Sequence, residues 1–266
     1  AFRAGQRVLR SDRFAPNPKG ASGSVELEVL DAGFGLLLEH MLGAVSSGSP
    51  GGSPSMATHT FTPGSLAGKS LTFQVGRTDN QGVLHPFTYY GGKIVSWELS
   101  NEVDGILNLA LELDFLGEHA GVGAGAYAAS SPSYVSGAQL FTFIGGAVKI
   151  GGVDFKVSNV TVGVNNGLAV DRWHLGGSKR EPLEQGLREI TFSLTGEFES
   201  LTHYQRVASL TAAGAVASLY AEWESPRGGK LTVTLPAARF DSGPVNFEGA
   251  ELIPQELSGI GTWNGT

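Results

Sequence analysis

The segment Pro63-Gly64-Ser65-Leu66-Ala67-Gly68-Lys69-Ser70 comes nearest to a chemical motif in this chain. A phosphate-cradling loop needs glycine at the first of these positions, and a helix must follow so that backbone amides can wrap the phosphates. Pro63 occupies the glycine position, and the flanking pattern is strand-like. Gly121, Gly123 and Gly125 miss the dinucleotide-binding spacing. The histidines His40, His59, His85, His119, His174 and His203 show no metal-ligand spacing, and there is neither an HExxH nor a GxSxG segment. Absence of cysteine removes disulfides, thiolate metal sites, iron–sulfur clusters and cysteine nucleophiles. Carboxylates are plentiful, and a pair could in principle hydrolyse glycosides. They fall, however, on the polar phase of alternating segments. Trp97, Trp173, Trp223 and Trp263 are scattered rather than arranged as a sugar-stacking stripe. Two glycosylation sequons begin at Asn159 and Asn264. The expectation is a protein with no catalytic, cofactor or metal site.

The elements that carry these residues are mainly strands. Residues 24–30 alternate as a strand, and Asp31 can cap a helix over 33–42 that Gly43 ends. Residues 44–55 read as a flexible Gly/Ser loop, followed by strands near 57–62 and 70–76. The clearest pattern is a long amphipathic hairpin over 94–116. Val95, Trp97, Leu99, Leu107, Leu109, Leu111, Leu113 and Phe115 form its apolar set. If both strands share one core face, paired residue numbers must sum to an even value. That predicts an odd-length loop of three or five residues, or a bulge near Gly105. Residues 118–137 read as a second flexible loop. Strands joined at Gly151-Gly152 follow, with a change of phase that predicts a bulge near Ser158-Asn159. A long loop spans 165–187, a strand 189–199, and a short helix 201–210. Strands near 214–224, 230–235 and 238–241 close the chain. The two halves echo each other weakly as strand, turn and strand.

Composition agrees with a turn-rich β protein. Glycine is 39 of 266 residues, about twice the usual share, and charged residues are 16%, well below the typical value near 25%. That depletion also suits a surface partly covered by partners. The net charge of −7 argues against general nucleic-acid binding. Its placement is uneven. Residues 1–20 hold Arg3, Arg7, Arg10, Arg13 and Lys19 against Asp12 alone, leaving 13 basic and 24 acidic groups on the remainder. A basic arm on an acidic body is suited to joining subunits. No stretch approaches 18 apolar residues, so membrane insertion by a helix is not expected. The first residues also lack the apolar run of a signal peptide.

Taken in order, SGSVELEVLDAGFGLLLEHMLG, FTYYGGKIVSWELSNEVDGILNLALELDFLGE, GGVDFKVSNVTVGVNNGLAV, LREITFSLTGEFESLTHYQRV and LTVTLPAARF resemble the tail tube (major tail) proteins of long-tailed bacteriophages. The resemblance spans about 22 to 242 and rests on order and pattern rather than on one motif. It implies an all-β chain with minor α: a single β-sandwich or barrel-like domain with long hairpins and a flanking helix. It also implies a virion protein whose subunits form stacked, hexameric rings through which DNA passes. Contacts with tape measure and tail terminator or tip proteins, and synthesis in the host bacterial cytoplasm, would follow. The alternatives are the tube of a phage-derived bacteriocin or injection device, and a carbohydrate-active β-sandwich.

Two residue sets follow from combining pattern and resemblance. Glu98, Glu102, Asp104, Glu112 and Asp114, extended by Glu189 and Glu197, are expected to line the lumen. Residues 94–118 contain six acidic groups and no basic one. Subunit contacts are expected from Arg3, Arg7, Arg10 and Arg13 of the arm, from the 44–55 loop, and from the 165–187 loop. In the last, Arg172, Trp173, Lys179 and Arg180 combine charge with an aromatic anchor.

Overall fold

The computed structural model describes residues 20–48, 57–120, 127–177, 179–209, 212–245 and 252–262. The arm arginines Arg3, Arg7, Arg10 and Arg13 and residues 49–55 of the 44–55 loop lie outside the described residues. The fold is all-β with minor α. Its strands are β1 (Ala21–Glu28), β2 (Gly43–Gly48), β3 (Thr58–Pro63), β4 (Leu71–Thr78), β5 (Leu84–Glu102), β6 (Asn108–Phe115), β7 (Gly117–Ala120) and β8 (Gly146–Ile150). These are followed by β9 (Val153–Asp154), β10 (Val157–Asn165), β11 (Leu168–Ala169), β12 (Leu183–Glu184), β13 (Glu189–Glu197), β14 (Val216–Glu224), β15 (Lys230–Ser242) and β16 (Pro254–Thr262). The helices are α1 (Gly35–Leu42), α2 (Leu201–Val207) and α3 (Ala212–Ala215).

One antiparallel sheet carries the order β1-β6-β5-β10-β13-β16-β15-β14-β8-β9, with β4 and β7 added beside the first half of β5. Its two ends line a single apolar cluster that includes Leu109 and Leu111 of β6 together with Leu219 and Trp223 of β14. The sheet therefore curls onto itself, as the barrel-like expectation required. Each such leucine moved from water to the interior contributes about 1.5–3 kcal/mol. The buried Trp223 indole N–H donates to Asn101 Oδ1 at 3.0 Å, so a polar pair joins the two arms across the core. Phe141 closes one end. Its amide donates to the Val29 carbonyl at 3.1 Å, and its carbonyl accepts from Leu107 at 2.9 Å.

The 94–116 hairpin follows the even-sum rule. Leu99 pairs with Leu109, Trp97 with Leu111 and Ser96 with Glu112. The connection is longer than three or five residues, running 101–107 between the last paired positions, Ser100 and Asn108. Within it the Gly105 amide donates to the Glu102 carbonyl at 2.9 Å. Asp104 takes the left-handed conformation at φ 59°, which aspartate tolerates better than most residues. The bulge lies at the opposite end, between Ile94 and Ser96. It reverses the phase there, so Ile94 is buried and Val95 only half-buried. The bulge expected near Ser158 is present between Val157 and Asn159. Gly151 and Gly152, both at positive φ, form the tight turn between β8 and β9.

Several elements differ from expectation. The start of the 44–55 loop is β2, paired with β3. The 118–137 loop opens with β7, and Gln74 pins its later part through the Ala128 carbonyl and the Ser130 amide. Strand β5 begins ten residues before the alternating run and pairs there with β4. Pro86 disguises that stretch, yet pairing with β7 starts only at Phe87, so the missing N–H is tolerated there. Pro236 likewise splits the sequence pattern of β15 but sits at a register shift against β14. Asp31 does not cap α1, whose N-cap Phe34 makes no side-chain cap bond. Its carboxylate instead accepts from the Gln139 amide at 2.9 Å and the Ser225 hydroxyl at 2.8 Å, joining three segments. Ser200 does cap α2, accepting from the Thr202 amide.

Candidate functional site

Strand registers decide which carboxylates share a surface. Across the sheet, Glu26 of β1 stands beside Ala110, Glu98, Gly163, Thr191 and Ile260 in one row. A second row runs Ser24, Glu112, Ser96, Asn165 and Glu189. A third runs Glu28, Asn108, Ser100, Thr161, Ser193 and Ser258, and a fourth runs Glu102, Asn159, Thr195 and Glu256. Side chains alternate between faces with period two, so these rows lie on the face opposite the core. Glu98, Glu102, Glu112, Glu189 and Glu197 are all exposed there, and Asp104 is exposed at the hairpin tip. Sequence reasoning missed Glu26, Glu28 and Glu256, which complete the surface. Their own strands alternate too briefly to show which neighbours they would meet.

No lysine or arginine points outward from β1, β6, β10, β13, β16 or the part of β5 that pairs with β6. Between the carboxylates lie small polar groups: Ser96, Ser100, Thr161, Gly163, Thr191 and Ser193. The Ser96 hydroxyl donates to Glu112 at 2.9 Å. At the β15 border, Arg239 is held by two bonds to Asp241, at 2.7 and 3.1 Å. Its charge is thereby offset locally. The result is a broad negative surface without cationic anchors.

Asp114 does not belong to it. It keeps the phase of Glu112 in the register with β1, but the strap covers it there: its side chain is 8% exposed and pairs with Lys179, itself 6% exposed. Burial pushes the Asp114 carboxyl above its ordinary range, and the Lys179 ammonium opposes that shift without cancelling it. Lys179 in turn leaves the inter-subunit set, because its charge is used inside the subunit.

The 165–187 loop is braced rather than loose. After β11, a narrow hairpin brings Trp173 opposite Lys179, and the Arg180 amide donates to the Arg172 carbonyl at 2.9 Å. Arg172 also donates to the Glu181 carbonyl at 2.6 Å. Buried Lys93 binds Glu181 at 2.8 Å and the Leu66 carbonyl at 2.7 Å. Beyond β12, Arg188 donates to the carbonyls of Leu42 and Gly64 at 3.0 and 3.2 Å. This strap leaves Trp173 and Arg180 exposed. Gly20 lies against it, since a Cβ there would sit 3.3 Å from the Trp173 ring. Gly20, the described residue just before β1, therefore sits beside Trp173.

Among the described residues, no group of three or more His, Asp or Glu side chains is placed to hold a metal ion, and no helix is long and apolar enough to cross a membrane. What the acidic face offers is electrostatic repulsion of anions and a smooth polar shape. The family model described as phage tail tube protein matches residues 6–261. No curated protein matches the chain. The chain belongs to the phage tail tube protein family.

Proposed function

We propose that this tail tube protein, a structural component of the virion that self-assembles into a tube, forms stacked hexameric rings with the acidic sheet face turned to the lumen. The observation that carries this reading is the cation-free face spanning β1, β6, β5, β10, β13 and β16. Duplex DNA carries one negative charge per about 1.7 Å of its axis, and lysine or arginine contacts are what hold it in place. A wall bearing Glu98, Glu102, Asp104, Glu112, Glu189 and Glu197 repels phosphates and lets DNA slide. Repeated around a ring, the face becomes a continuous lining.

The whole chain acts as one tube-forming domain. Subunit–subunit contacts use the basic arm with Arg3, Arg7, Arg10 and Arg13, and the strap residues Arg172, Trp173 and Arg180. Further partners are the tape measure protein and the tail terminator or tip proteins. The subunit is made in the host bacterial cytoplasm.

Negative-stain microscopy of the purified chain tests the reading. Hollow tubes of six-fold end-on symmetry are expected, and truncation of residues 1–13 should slow their growth while the subunit still folds. A chain that stays a uniform monomer at every concentration and ionic strength, or rings of another symmetry, would sink it.

A further inference from the structure

Strand β10 crosses the subunit from Val157 to Asn165, about 27 Å at roughly 3.4 Å per residue. Its two ends carry complementary apolar features. Beyond Asn165 the braced strap presents Leu175 at its tip, fully exposed, with the Gly177 amide closing the turn onto the His174 carbonyl at 3.0 Å. At the Val157 end there is a hollow of about 300 Å³ with Val103, Phe143, Leu252 and Pro254 on its apolar side and Lys156 and Glu197 on its polar side. Val103 and Leu252 are themselves 52% and 79% exposed.

An aliphatic side chain held in water on a braced turn forgoes the burial that would stabilise it, and the apolar side of the hollow at the far end leaves a matching surface uncovered. Within one subunit the two cannot meet, because β10 separates them. Charge also matches. Arg180 is exposed at the base of the strap, while Glu102, Asp104 and Glu197 stand exposed at the opposite end around the hollow. Lys156, the cation at that rim, lies 3.7 Å from Glu199.

We propose that the strap tip of one subunit, with Leu175 as its anchor, seats in the hollow between Val103 and Leu252 of a second copy of this chain. Knob and hole occupy opposite ends of the same molecule, so the contact is head-to-tail. Such a contact does not close on itself as a two-fold would, and it propagates along an axis. Arg180 then approaches the acidic rim of the neighbour. This inference rests on the tube reading and assigns the residues that join successive layers.

The absence of cysteine makes the test clean. Leu175→Cys and Val103→Cys are introduced singly and together, and assembled material is treated with a short bis-maleimide. The double variant should give a ladder of covalent multimers on a denaturing gel, which dilution to monomers before treatment abolishes. Each single variant should give no ladder. Tubes of the double variant that cross-link no more than the single variants would overturn the contact while leaving the tube reading intact. So would self-linking by Leu175→Cys alone, which requires a symmetric contact. In parallel, Leu175→Asp should unfold like the unsubstituted subunit but raise the concentration needed for assembly roughly tenfold or more. Assembly at the unsubstituted concentration overturns the contact. A failure of the unsubstituted chain to form any tube would remove the tube reading and this inference together.

Discussion

Asp114 of β6 and Lys179 of the strap, 65 residues apart in sequence, form an ion pair with both side chains less than a tenth exposed. Removing one partner of such a pair leaves an uncompensated buried charge, at a cost of about 3–5 kcal/mol. Lys179→Met should therefore lower the urea midpoint of the subunit strongly. Its deficit should shrink as pH falls, since a lone Asp114 can take up a proton. The double variant Asp114→Leu with Lys179→Met should recover most of the loss, because the buried charges are removed together. Equal destabilisation by the single and double variants would show that the pair itself is not what holds the strap.

Asp31 makes stability depend on pH in the opposite sense. Burial pushes its carboxyl up, but hydrogen bonds from the Gln139 amide and Ser225, with the Arg227 guanidinium nearby, hold it below the ordinary value near 3.8. A carboxyl with a lowered native pKa stabilises the fold above its unfolded pKa, and that stabilisation is lost as pH falls through the native one. Asp31→Asn should flatten the acid limb of the stability profile below about pH 4. Asp31→Ala at pH 7 should cost about 1.5–3 kcal/mol through the lost charged hydrogen bonds. Denaturant titrations at a series of pH values check both, and an unchanged acid limb in Asp31→Asn would refute the assignment.

The 94–116 hairpin was legible because its period-two pattern runs through both strands, and the parity of the apolar numbers constrained the register. The same logic gathered Glu98, Glu112, Glu189 and Glu197 on one face before any pairing was known. Strand β16 escaped notice, although it lies between β13 and β15, because ELSGIGT offers two glycines where an alternating pattern should show side chains. Asp114 was misplaced for a different reason. It has the same phase as Glu112, and what removes it from the surface is Lys179 of the strap, 65 residues further along the chain. The burial of Lys179 depends on a contact of long sequence separation, which alternation and turn chemistry do not encode.

Gly259 of β16 illustrates that close approach. A Cβ there would stand 1.9 Å from the Arg239 carbonyl oxygen and 2.9 Å from the Phe192 ring. The first of these is backbone and has little room to yield, so Gly259→Ala must push β15 and β16 apart. Overpacking of this kind costs about 1–3 kcal/mol, and more where the backbone is the obstacle. Gly23 of β1 has open space around its Cβ position and is the control. Thermal melts should show Gly259→Ala markedly destabilised and Gly23→Ala close to the unsubstituted chain. Similar melting of the two variants would mean that β16 is not packed as described.

The acidic face makes the most direct functional prediction. Glu98 and Glu112 are exposed on neighbouring strands and lie one row apart, and neither supports the core. Replacing both with lysine should leave folding and tube formation unchanged, since surface substitutions away from special features usually fall within about 0.5 kcal/mol. In a hexameric ring the change would place twelve cations where there were twelve anions, and the stack repeats this along its length. Each lysine that meets a phosphate releases condensed counterions, so attraction to DNA should be strongest at low salt and fade as salt rises. Phage carrying Glu98→Lys with Glu112→Lys should therefore eject DNA more slowly than the parent in dilute buffer, with the difference narrowing at high salt. Glu98→Gln with Glu112→Gln should lie between the two. As a control off that face, Glu222→Gln with Glu224→Gln on β14 should leave ejection unaffected. Ejection followed by fluorescence of released DNA reads all three variants. Parental kinetics at low salt for the Glu98 and Glu112 lysine variant would place this face away from the lumen.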